Sequence, residues 1–120
     1  MLTLTLPWPP SLNRIYRAVA GRVVLSEAAR KYALQVHNAL PAGRPEKLSG
    51  RLRVALALCP PAKLADKPWD IANREKLLFD CMTHAGVWID DAQIDELSIV
   101  RGVPVGDGVA LLQISEIGLT

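Results

Sequence analysis

Leu2, Leu4 and Leu6 alternate with Thr3 and Thr5, a period of two that predicts a strand with one buried face. Pro7-Trp8-Pro9-Pro10 stops it, because proline has no N–H to give to a ladder. Arg22 to Leu25 predicts a short second strand. Ser26 is placed to N-cap a helix running to about Leu40, with Ala29, Val36 and Leu40 at core spacing and Tyr32 or Ala33 between them. Pro41 and Gly43 end it. Residues 51 to 59 alternate most cleanly: Leu52, Val54, Leu56 and Leu58 face one way, Arg51 and Arg53 the other. Residues 71 to 85 predict a second helix with Leu77, Leu78, Cys81, Met82 and Ala85 on its apolar face, and Gly86 suits the C′ position. Residues 97 to 103 and 109 to 117 predict two strands joined across Gly106-Asp107-Gly108, a turn signal.

The order β-β-α-β-α-β-β implies an α+β fold, a mixed sheet carrying two helices. With 120 residues the chain supports one core and one domain, 1–120. Half the residues are hydrophobic and 22% are charged, which is a globular rather than a disordered balance. The longest apolar stretch, residues 54 to 59, is too short to span a bilayer, so no membrane association is expected. The opening residues lack a basic segment before their apolar run, so no signal peptide is expected and the expected location is cytoplasmic. Cys59 and Cys81 are isolated, without CxxC spacing, and are expected as reduced, packed apolar groups rather than zinc ligands.

Net charge is only +2, and its distribution says more than its size. Residues 14 to 31 hold Arg14, Arg17, Arg22, Arg30 and Lys31 against Glu27 alone, while residues 87 to 97 hold Asp90, Asp91, Asp95 and Glu96 without a base. Either the first segment neutralises phosphates and the second holds a hard cation, or both are ordinary solvated surfaces.

Asn73, Lys76, Asp80 and His84 fall at i, i+3, i+7 and i+11, one stripe of the second helix. Asp70 precedes that helix and Asp90-Asp91 follow it. Mg²⁺ takes oxygen ligands from separate segments, usually one or two carboxylates, and a lysine beside it counters transition-state charge. Asp70, Lys76 and Asp91 fit those roles. From spacing alone, Asp70 is equally a helix cap, Asp90-Asp91 a turn, and Lys76–Asp80 a surface ion pair.

Longer motifs weigh on that choice. Residues 6 to 17, LPWPPSLNRIYR, resemble the opening of RusA-type resolvases. The segment Asp70-Ile71-Ala72-Asn73-Arg74-Glu75-Lys76 resembles their DxDNxxK motif. Asp80, with Ala85-Gly86-Val87-Trp88-Ile89-Asp90-Asp91-Ala92-Gln93, resembles the stretch that follows. The resemblance covers nearly the whole chain, and residues 41 to 69 are its least distinctive part. It implies an intertwined homodimer that binds four-way (Holliday) DNA junctions in recombination and repair and nicks two opposing strands with Mg²⁺. By the same resemblance Asp70 and Asp91 match metal ligands, Lys76 matches the motif lysine, and Asp90 and Asn73 match neighbouring motif positions. A junction's approximate two-fold symmetry also suits a symmetric pair of sites.

Ala72 departs from the motif, standing where the family has its second DxD aspartate. A methyl group cannot ligate a cation. Glu75, three residues and one helical turn on, on roughly the same face, is the candidate replacement; the other outcome is a junction-binding protein with weakened or lost cleavage. Asn13, Arg14, Tyr16 and Arg17 mix cations with a stacking group suited to DNA, and Lys63 and Lys67 in the loop before Asp70 suit phosphate. Alternatively Tyr16 packs and these cations are solvated. Trp8, Trp69 and Trp88 are expected in core or interface, His37 on the surface, and His84 outside the chemistry.

Overall fold

The computed structural model describes residues 1–11, 16–43 and 46–118. Asn13 and Arg14 lie outside them. Among the described residues eight elements follow one another: β1 (Leu2–Pro7), β2 (Tyr16–Val19), β3 (Arg22–Leu25), α1 (Glu27–Ala39), β4 (Leu52–Cys59), α2 (Glu75–His84), β5 (Ile94–Arg101) and β6 (Val109–Glu116). Two single 3₁₀ turns, Ala62–Leu64 and Asp91–Gln93, flank α2. The fold is the expected α+β domain: a mixed four-stranded sheet and two helices.

The alternations act as read. Leu4 and Leu6 of β1, Leu52, Val54, Leu56 and Leu58 of β4, and Ala110, Leu112 and Ile114 of β6 are buried together. Thr3, Thr5 and Gln113, at alternate positions, are exposed. Ser26 Oγ accepts from Ala29 N at 3.1 Å and caps α1, whose Ala29, Tyr32 and Val36 enter the core. α2 adds Leu77, Leu78, Phe79, Cys81 and Met82. Trp88 is fully buried, packs edge-on against Phe79, and donates from its indole N–H to Thr83 Oγ1 at 2.8 Å. Cys59 and Cys81 are free and buried. Among the described residues no helix is long and apolar enough to cross a membrane.

Four features differ from the sequence reading. Residues 16–19 form β2, an additional strand paired with β3 as a separate two-stranded sheet. Its turn residues, Ala20 at φ 50° and Gly21 at φ 76°, are both left-handed, as a tight hairpin with native twist requires. Second, α2 starts at Glu75 instead of residue 71, and third, β5 begins at Ile94, earlier than residue 97.

The fourth difference is topological. Strands β5 and β6 are not hairpin partners: the order is β1-β6-β4-β5, with β4 between them. β4 pairs in parallel with β5 and antiparallel with β6. The connection passes over the end of β4, where Gly102 N donates to Leu58 O, Val105 N to Pro60 O, and Ala62 N to Gly106 O at 2.8–3.0 Å. Gly108, at φ 86°, lets it pass; a Cβ there would stand 2.9 Å from Trp8 Cβ and Pro61 N.

Leu78 joins α2 to the sheet with no exposed surface. Leu78→Ala should lower unfolding free energy by about 3 kcal/mol, read from urea midpoints at constant m-value.

Candidate active site

A turn, not a capping side chain, leads into α2. Asn73 has φ 67°, a left-handed conformation that asparagine tolerates better than most residues because its short polar side chain can bond locally. Arg74 occupies the N-cap with helical angles and makes no side-chain cap bond. Asp70 is therefore not the cap of this helix, and Asn73 leaves the expected stripe. What remains is Lys76, Asp80 and His84, four residues apart on one face. Lys76 Nζ lies 3.9 Å from Asp80 Oδ2, with side chains 53% and 41% exposed, so the pair orients the ammonium more than it stabilises the fold.

Arg74 turns its side chain back over the entry loop. Its Nε donates to Asp70 O at 3.0 Å and its Nη1 to Pro9 O at 3.1 Å. The guanidinium lies 5.0 Å from the Trp8 ring centre and 5.6 Å from that of Trp69. These rings meet edge-on at 5.1 Å, and Arg101 covers Trp69 at 4.2 Å. Partial burial pulls the Arg74 pKa below its ordinary value, while the Asp70 carboxylate opposes that.

Beyond α2 the aspartate pair divides its work. Asp90 caps the 3₁₀ turn, its Oδ1 accepting from Ala92 N at 3.0 Å, and Gln93 closes a capping box. Buried Gln93 makes four bonds: Oε1 accepts from Ile89 N and Asp90 N, each at 2.8 Å, and Nε2 donates to Leu48 O at 3.0 Å and Gly50 O at 2.8 Å. Asp91, the first residue of this turn, stays exposed. A hydrogen bond shared with Asp90, partial desolvation, and the Asp90 and Asp80 carboxylates raise its pKa; Lys76 opposes them. The Ala92 N–H and the Asp91 bond hold Asp90 below its ordinary value.

The acidic segment is thus sorted. Asp95 takes Arg51 Nε at 3.0 Å, and Glu96 pairs with Arg53 across the β4–β5 register. Asp91 is left with Asp90, Asp80 and Lys76 as its charged neighbours. Asp70 has Arg74, and no hydrogen bond or ion pair among the described residues joins it to Asp91. Asp80, placed by sequence on the Lys76 stripe but not among the site residues, comes near Asp91 because the 3₁₀ turn folds back on α2.

Among the described residues no three carboxylate, imidazole or thiol groups converge to hold a metal. A site relying on one or two carboxylates, with water and substrate phosphate completing the shell, still suits Mg²⁺. Two observations fit such an ion. Asp91 is crowded by two other carboxylates, and Glu75 Oε2 is buried without a hydrogen-bond partner. Since α2 begins at Glu75, however, that residue is not one helical turn from Ala72.

Lys63 and Lys67 are exposed. Lys63 lines a cleft of about 970 Å³ with Lys31, Arg74, Trp8 and Tyr32. Tyr16 and Arg17 belong to β2 by their backbone. A second cavity, about 300 Å³, lies between the helices beside Asp80, Cys81 and His84. Burial pushes the Cys81 thiol up to about 11, which removes it as a nucleophile.

Residues 7–114 match the family model described as endodeoxyribonuclease RusA. Similar proteins include the crossover junction endodeoxyribonucleases RusA of Escherichia coli (strain K12) and Shigella sonnei (strain Ss046), each 35% identical over 97% of this chain and 95% of theirs. That of Enterobacteria phage 82 is 35% identical over 96% of this chain and 94% of its own.

Gln93→Ala leaves two N–H groups and two carbonyls without their partner, and should cost about 2 kcal/mol in urea unfolding. Asp91, with a raised folded pKa, contributes stability at acid pH that is lost as pH rises through that pKa. Asp91→Asn should therefore melt above the parent at neutral pH, the gap closing on acidification. Melting curves across pH would show it.

Proposed function

The chain belongs to the RusA endodeoxyribonuclease family, and on that premise we propose that it resolves four-way (Holliday) DNA junctions by Mg²⁺-dependent phosphodiester hydrolysis, in recombination and repair. One arrangement carries the reading. Asp91, on a turn fixed by Gln93, stands within electrostatic reach of Lys76 and Asp80 on α2.

Asp70 and Asp91 would hold Mg²⁺, with Glu75 and Asp90 as further oxygen donors. When bound, Mg²⁺ supplies Lewis acidity to the phosphodiester and eases deprotonation of water. Lys76 places its ammonium where negative charge develops on the scissile phosphate, and Asp80 orients it. Asp90 and Gln93 keep the turn closed, so that Asp91 need not reorganise as substrate arrives. Asn13, Arg14, Tyr16, Arg17, Lys63 and Lys67 contact the DNA. Two opposed cuts on a nearly two-fold substrate call for two equivalent sites, so the working form is a homodimer. The whole chain, residues 1–120, acts as one nuclease domain, in the cytoplasm.

A second reading has its own observation. Ala72 has no carboxylate and no three donors converge among the described residues, which favours a protein that binds junctions but cuts weakly.

Labelled four-way junction and matched duplex, each with and without Mg²⁺, separate the two. Cutting of the junction alone is expected, and EDTA should abolish it. Lys76→Ala and Asp91→Asn should lose at least about 100-fold in cleavage rate while still shifting the junction on a gel. An Asp91→Asn protein that cuts at the parental rate would remove the site assigned here. Glu75→Ala should slow cleavage and Ala72→Asp should accelerate it; an unaffected Glu75→Ala excludes Glu75 as a ligand.

A further inference from the structure

The entry loop from Asp70 to Asn73 is neither helix nor strand, and Asn73 holds a left-handed backbone in it. Such a loop would not keep Asp70 in one place unaided. Among the described residues, Arg74 is the side chain that bonds it. Nε bonds the carbonyl of Asp70 itself, Nη1 bonds Pro9 O at the exit of β1, and the guanidinium lies over the rings of both Trp8 and Trp69.

We infer that Arg74 is a positioning residue, a two-armed clamp that fixes the Asp70 loop against the Trp8–Trp69 pair and so sets where the Asp70 carboxylate is presented. The inference rests on the reading of Asp70 as a site residue. Only a planar fork serves both carbonyls and stacks on indole at once; lysine, with one ammonium, keeps the charge and loses that geometry. The segment preceding the basic residues has a second anchor, because Tyr32 Oη donates to Pro7 O at 2.8 Å. Loss of Arg74 therefore frees Asp70 more than it frees the end of β1. Two of Arg74's five N–H donors go to protein carbonyls, and as a clamp it should contribute little to DNA affinity.

The test compares the parent, Arg74→Lys and Arg74→Met in junction cleavage with Mg²⁺, junction affinity in EDTA, and tryptophan emission without DNA. Arg74→Met should cut about 10- to 100-fold more slowly in kcat, with KM and EDTA affinity within about two-fold of the parent. Arg74→Lys should fall between them. Emission should shift in both variants as the guanidinium leaves Trp8 and Trp69. If Arg74→Met proves unfolded by circular dichroism, Arg74→Lys carries the same comparison. An affinity loss as large as the kcat loss would make Arg74 a DNA contact and overturn the inference, as would an unchanged kcat in a protein whose emission has shifted. A parent that cuts no junction overturns the nuclease reading and this inference together, whereas an active parent with equally active variants overturns the clamp alone.

Discussion

Parallel pairing of β4 with β5 imposes a demand on the chain that no tight turn can meet, since the end of one strand must be carried back to the start of the next. Residues 60 to 93 are that return path, and α2 is its middle. Asp70, Lys76, Asp80 and Asp91 all ride on it. The helix is held by Leu77, Leu78, Cys81 and Met82 in the shared core, so its polar stripe has little freedom to rotate. A buried apolar face thus fixes the orientation of charged groups that contribute little to stability themselves.

The segments before and after α2 are each held by hydrogen bonds from one side chain. Arg74 ties the entry to the exit of β1, and Gln93 ties the return to the loop ahead of β4. Each bonds backbone groups distant in sequence, so each converts a loose connection into a fixed one. The chemical environments differ. Gln93 is neutral and buried, and satisfies four part-buried backbone groups. Arg74 keeps its charge over two indole rings at the rim of an open cleft.

Charge is distributed with the same economy. Of four carboxylates in the acidic segment, Asp95 and Glu96 are neutralised by Arg51 and Arg53 from the strand side, and Asp90 is engaged as a cap. Asp91 alone keeps a raised pKa, through its Asp90 bond and two neighbouring carboxylates, with Lys76 opposing. A divalent cation bound there would offset the repulsion among these carboxylates.

Period-two alternation in β1, β4 and β6 and the Ser26 cap of α1 were legible because each depends on residues a few positions apart. The capping box of Asp90 and Gln93 was written there too, in its i, i+3 spacing. The motif blocks likewise named the family, and with it Asp70, Lys76 and Asp91 as candidates. Strand partners were not legible. Alternation assigns a face but no neighbour, so the Gly106-Asp107-Gly108 turn suggested a hairpin where β4 in fact intervenes. Nor could local spacing reveal Asn73's left-handed backbone, which delays α2 and takes Asn73 off the stripe. Arg51 meeting Asp95, Arg74 reaching Pro9, and Asp80 joining Asp91 all depend on segments that only the closed sheet brings together. Local covalent order determined the elements and the residue types available for chemistry. Long-range packing decided which of those residues share one site.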